Sequence, residues 1–270
     1  MKKNKLPATT PPETQKWVAQ SWAFLKIHWL AIIVIALGTW LRVVDLPAKA
    51  IMFPDAGRDL LQAAQAVKNH ELPLLGIPSS VPRFKQGPLT IWLQMGFYQL
   101  VGFDLTAYSY GFALIGIAAM VLIYETGIVF FSRRTGQLAL IIMAFPPLAV
   151  AHSRMPYHTT PIPLATIADF WGLQALAKNQ TRGLFWATLT GALLFQFELS
   201  MFPVLLAIPL LWWKQRHKLE SGWKQVVVGG GLGLLPQIVH DITHGFEQLG
   251  GFILWVGYRL VSLGIPGQHT

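Results

Sequence analysis

The chain has no cysteine, which removes disulfides, cysteine-ligated zinc and thiol nucleophiles together. It is also short of charge: Asp, Glu, Lys and Arg make up 12% of the 270 residues, about half the share of an ordinary soluble domain. Basic residues outnumber acidic ones by 21 to 12, for a formal net charge of +9. That excess is no nucleic-acid footprint. The Lys and Arg fall in short clusters between apolar stretches, with no stripe of cations interleaved with exposed aromatics.

In place of charge there are apolar residues, at 53%, and 11 Trp, a side chain that favours the membrane–water boundary. The composition predicts an all-α polytopic integral membrane protein. Residues 1–26 are polar and basic, interrupted by Pro7, Pro11 and Pro12, and read as a disordered cytoplasmic tail. Residues 27–41 are the first span, with Lys26 and Arg42 placed to snorkel to opposite interfaces. Ala48-Lys49-Ala50 matches a signal-peptidase site. The preceding segment is long for a signal peptide and further spans follow, so retention as an anchor is expected.

Further apolar segments cover 106–131, 136–151, 159–177, 183–195, 199–213 and 223–239. The links between them alternate in charge. Arg133/Arg134, Lys178/Arg182 and Lys214/Arg216/Lys218/Lys224 fall on the side of the basic tail. The positive-inside rule then predicts about seven transmembrane helices with a cytoplasmic N-terminus; the membrane is expected to be a bacterial-type cell membrane. Residues 88–102 are apolar but short, and counting them as a span scrambles the alternation. They are expected to lie in the outer interface, with Trp92 and Tyr98 at headgroup depth. The first outer loop, 45–104, thereby carries interfacial helices of its own, and loops of that length are usually functional.

Polar residues in the outer loops are the candidate chemistry. Asp55 opens an amphipathic helix over Leu60, Leu61, Ala64 and Val67, with Arg58 and Asp59 one turn in. It reads either as an N-cap after Pro54 or as a carboxylate at the membrane surface able to take a proton from a hydroxyl. Arg83 and Lys85 are placed to neutralise a phosphate or to hold lipid headgroups. His152 and Arg154, in the second outer loop, are anchors or face the same cavity as Asp55. His240-Asp241-Ile242-Thr243-His244 has zinc-ligand spacing, with Asp where a metalloprotease carries Glu; interfacial, hydrogen-bonded histidines are the commoner outcome.

Phe53-Pro54-Asp55-Ala56-Gly57-Arg58-Asp59, then Lys85-Gln86-Gly87-Pro88-Leu89 to Trp92, Ser153-Arg154, and Pro236 to Asp241 with Gly245-Phe246 follow one another in order. This order resembles the GT-C superfamily of membrane glycosyltransferases, in the branch of the protein O-mannosyltransferases and the lipid A aminoarabinose transferases. The resemblance covers most of 27–250, the expected catalytic module. Residues 251–270 are expected to begin a further hydrophobic or interfacial segment, cut short relative to longer family members. The chain departs from the family in three places: Asp-Ala replaces Asp-Glu, the lysine element is one residue longer, so either Lys85 or Gln86 takes the lysine's position, and no acidic residue follows Ser153-Arg154.

The resemblance implies inverting transfer of a hexosyl or pentosyl unit from a polyprenyl-phosphate carrier to a hydroxyl of a glycan, lipid or protein on the outer face. It implies Asp55 as base and Arg58, Arg83, Lys85, Arg154 and His152 at the phosphate, with Asp59, His240 and His244 as weaker candidates. The lipid-linked donor enters as substrate, without cofactor or metal. Two other classes are open: a membrane metalloprotease on His240, Asp241 and His244, and a flippase or transporter. The latter has few ionisable residues in its spans, namely Glu125, Asp169 and Glu198.

Overall fold

The computed structural model describes residues 13–49, 53–82, 84–215 and 222–263, and every regular element among them is a helix. Helix α1 (Glu13–Val43) is followed by a single turn, α2 (Leu46–Lys49), and by α3 (Pro54–Lys68) and α4 (Leu89–Val101) of the first loop. The bundle continues with α5 (Leu105–Phe130), α6 (Arg133–Ala144), α7 (Pro147–Ser153), α8 (Ile162–Ala177) and α9 (Thr181–Phe197). A 3-10 turn (Leu199–Met201) leads into α10 (Phe202–Leu205), α11 (Ala207–Gln215), α12 (Gly222–Gly233), α13 (Leu235–Thr243) and α14 (Glu247–Leu263).

The protein is therefore all-α and membrane-embedded. Two helices are long and apolar enough to cross a bilayer alone, Leu25–Val43 and Leu105–Phe130. Where the sequence predicts about seven crossings, the described helices give up to four if each of two bent pairs is one span. The bends have local causes. α6 and α7 meet at 70° across Pro146 and Pro147, and α12 and α13 at 76° beside Gly233 and Pro236, where proline removes the helical donor and clashes with the preceding turn. α8, at 16 residues, and the Leu199–Lys214 stretch are apolar but shorter.

Two expectations are corrected here. Residues 13–26, read as disordered tail, are helical and continuous with the first span; residues 1–12 lie outside the described residues. Arg42, expected to snorkel outward, is turned inward and 1% exposed. It donates to Gly38 O and Ala144 O, each at 3.0 Å, and to Met143 O at 2.8 Å. The carbonyls that the Pro146–Pro147 break leaves without helical partners are good acceptors for a guanidinium, which explains the choice.

Small residues set the packing of α8, α9 and α12. A Cβ on Gly172 would lie 2.6 Å from Ala187 N, and one on Gly229 2.6 Å from Phe185 O, so the backbones touch as apolar solvent requires. α4 has 13 residues and rises about 20 Å, short of a bilayer core of about 30 Å. Trp92 Nε1 donates to Pro73 O at 2.8 Å, tying α4 under the loop that follows α3.

Candidate active site

The first loop is held in an extended, paired form. Gly76 N donates to Gln86 O at 2.9 Å and Gln86 N to Ile77 O at 2.8 Å, with an isolated antiparallel bridge between Pro78 and Lys85. A side chain on Gly76 would collide with Gly87 O, so glycine is needed for this close approach. Side chains alternate along extended chain, and Lys85 and Gln86 accordingly face opposite ways. Gln86 is buried, and its Nε2 donates to Glu198 Oε2 at 3.1 Å. Lys85 is exposed and lines a cavity of about 790 Å³ with Phe84, Glu247 and Gln248.

On the Gln86 side the structure gathers residues from three loops. Arg58 Nη1 holds Asp55 Oδ1 at 3.0 Å, while its Nη2 and Nε reach Asp59 Oδ1 at 2.7 and 2.9 Å. The two carboxylates differ in setting: the Asp55 side chain is 53% exposed and that of Asp59 0%. Burial pushes the Asp59 carboxyl above its usual range, against the pull of Arg58. Asp55 is not the helix cap. Phe53 holds the N-cap position without a side-chain bond and Pro54 starts the first turn, so Asp55 sits within that turn, with its carboxylate on Arg58. Asp59, one turn further along the helix, is interior.

Opposite them, His158 Nε2 meets Glu198 Oε2 at 3.3 Å. The contact with His158 leads the interactions that hold the Glu198 carboxyl below its usual range, with Ser200 N and Gln86 assisting. The Tyr157 ring lies 4.1 Å from His158 and 6.3 Å from Phe53. Burial raises its phenol, and the charges of Asp55, Asp59 and Glu198 raise it further. Asp59 Oδ2, Gln86 Oε1 and His158 Nδ1 are buried without a hydrogen-bond partner among the described residues. Buried polar atoms in that condition cost about 1–3 kcal/mol each, and ligand hydroxyls would satisfy them.

Two further candidates, from the second outer loop, hold protein partners. His152 Nε2 is bonded to Thr159 Oγ1 at 2.7 Å. Arg154 donates to Leu41 O and, at 3.4 Å, to Val44 O, closing the C-terminal end of α1. Arg83 lies outside the described residues. His240 and His244 stack face to face at 4.0 Å, with His240 Nε2 on Glu247 Oε1 at 3.0 Å. Asp241 accepts from Gln248 N and Leu249 N, at 2.9 and 3.1 Å, and so caps α14. Among the described residues no three or more His, Asp or Glu side chains are grouped to hold a metal ion. No sequence pattern marks His158, Tyr157 or Glu198 as site residues. The available signal was Glu198 itself, a carboxylate at the end of an apolar run.

Comparison with protein families supports a membrane glycosyltransferase of the GT-C type. Residues 85–240, more than half of the chain, match the family described as dolichyl-phosphate-mannose-protein mannosyltransferase. The chain belongs to that family, whose members are membrane glycosyltransferases drawing on lipid-linked sugar donors. No curated protein and no solved structure matches it. The matched segment begins at Lys85 and contains Gln86, Tyr157, His158 and Glu198; α3, with Asp55, precedes it.

Proposed function

We propose that the chain transfers a sugar from a polyprenyl-phosphate carrier to an acceptor hydroxyl on the outer membrane face, with inversion, using Asp55 as general base. The observation that carries this reading is the contrast within the site: of the three carboxylates whose charges act on Tyr157, Asp55 alone is half open, against 22% exposure for the Glu198 side chain and 0% for Asp59. The acceptor oxygen bonds to the anomeric carbon from the face opposite the phosphate. The bond from that carbon to the phosphate oxygen breaks, its electron pair stays with the phosphate, and the acceptor proton passes to Asp55.

Cations offset the charge growing on the phosphate. Arg58, fixed beside Asp55, is the cation at the site; Lys85 faces the other cavity, with Glu247 and Gln248, and is not assigned to the phosphate. Arg154 and His152 have protein partners and are assigned to shaping the loop. Gln86 Oε1 and His158 Nδ1, both unpartnered among the described residues, have the chemistry to hold a sugar's hydroxyls. The test is transfer from a labelled polyprenyl-phosphate sugar by purified protein in liposomes, with the product's anomeric configuration read by NMR. A product of retained configuration, or no transfer from any polyprenyl-linked donor, overturns the proposal.

A further inference from the structure

A second cavity lies at the other end of the bundle and takes no part in the chemistry above. It is a groove of about 740 Å³ between α5, α8 and α9. Its walls include Phe130, Trp171 and Trp186, and its mouth, at the α8–α9 turn, carries Lys178, Gln180 and Arg182. The walls are fixed. Trp171 Nε1 donates to Thr126 Oγ1 at 2.8 Å, and the Trp171 ring meets Phe130 edge-on at 4.7 Å. Lys178 Nζ stands 5.2 Å from the centre of the Phe130 ring, which brings the α8–α9 turn beside the end of α5.

Charge and length together describe the occupant. Neither Lys178 nor Arg182 is paired with a carboxylate among the described residues; Arg182 spends only its Nε, on Gln180 Oε1 at 3.2 Å. From Leu122 to Phe130 the groove follows α5 for roughly 12 Å, and from Ile167 to Lys178 it follows α8 for roughly 16 Å. One leaflet of hydrocarbon is about 15 Å thick. A channel of that depth, apolar along its length and cationic at its mouth, matches an acyl chain with a phosphate head.

We propose that this groove is a binding site for an anionic phospholipid of the leaflet that faces the basic turns, its phosphate between Lys178 and Arg182 and an acyl chain along Trp171 and Trp186. The site is independent of the transfer reaction. Two cations at a headgroup give roughly a tenfold to thirtyfold preference for an anionic over a zwitterionic lipid.

The experiment uses the full chain in mild detergent, titrated with phosphatidylglycerol or phosphatidylcholine and read by native mass spectrometry. The wild type should retain one phosphatidylglycerol with that preference. A Lys178→Gln/Arg182→Gln double variant should lose it, while Lys224→Gln, on α12, should keep it. In a second measurement, brominated phosphatidylglycerol should quench less fluorescence in Trp171→Phe than in the wild type. Equal retention of the two lipids, or a preference unchanged in the double variant, overturns the proposal. So does displacement of the brominated lipid by a polyprenyl phosphate, which would assign the groove to the carrier.

Discussion

Gln86 Nε2 donates to Glu198 Oε2 at 3.1 Å, joining the paired strand of the first loop to the C-terminal end of α9, 112 residues away. The same oxygen receives His158 at 3.3 Å, so a single carboxylate fastens three chain segments. Its folded-state proton affinity is lowered, first by His158. A depressed carboxyl stabilises the fold above its unfolded pKa, and that stabilisation is lost as pH falls through the folded value. Glu198→Gln is therefore expected to lower Tm near neutrality and to flatten its fall below about pH 4.5, the reference value for Glu. Thermal melts of the two proteins across that range are the measurement; parallel curves would show that Glu198 does not carry this linkage.

The topology is open to a direct test. Lys178 beside Phe130 gathers the α5–α6 and α8–α9 turns at one end of the bundle, and the contact of His158 with Glu198 gathers the 154–161 loop and the end of α9 at the other. Reporter fusions after Arg134 and Lys218 are expected to read cytoplasmic, and fusions after His158 and Gly245 external. An external signal after Arg134 would mean that α4 crosses the membrane.

The class of fold was readable from composition because a charge share of 12% leaves few alternatives. The positions of the breaks were less so. The hydropathy of 136–151 is continuous, yet Pro146 and Pro147 divide it, and the proline effect on the backbone outweighs the apolar run. Of the site, the sequence showed the charged side of α3 and left Lys85 and Gln86 unresolved. The pairing of 76–86 separates that pair by turning them to opposite faces. Burial was the quantity out of reach. Asp55 and Asp59 differ by one turn in sequence, and only tertiary packing makes one solvent-facing and the other interior. His158 and Glu198 are separated by 40 residues, and no local pattern pairs them.

Transfer is expected to proceed without a divalent cation. The His-x-x-x-His segment has its donors engaged: His240 on Glu247, Asp241 on two backbone amides, and the two imidazoles stacked rather than converging. Activity in membranes treated with a chelator should match the untreated rate. Complete loss that added metal restores would contradict this and return attention to His240 and His244.

The sharpest prediction separates the two carboxylates on Arg58. Asp55→Asn keeps the side chain's shape and one oxygen for Arg58, and Asp55 makes no helix cap that the change would remove. Fold and Tm should survive, while loss of a general base lowers turnover by about a hundredfold to ten-thousandfold. Asp59→Asn acts on stability instead. Burial raises the Asp59 carboxyl, so its contribution to stability is full below its unfolded pKa and is lost as pH rises through the folded value. A non-titrating Asn should flatten Tm over that interval, with turnover held within about tenfold of wild type, since Asp59 orients Arg58 without meeting solvent. The measurements are turnover at matched expression and Tm against pH for both variants. Near-normal turnover in Asp55→Asn, joined to collapse in Asp59→Asn, would reverse the two roles.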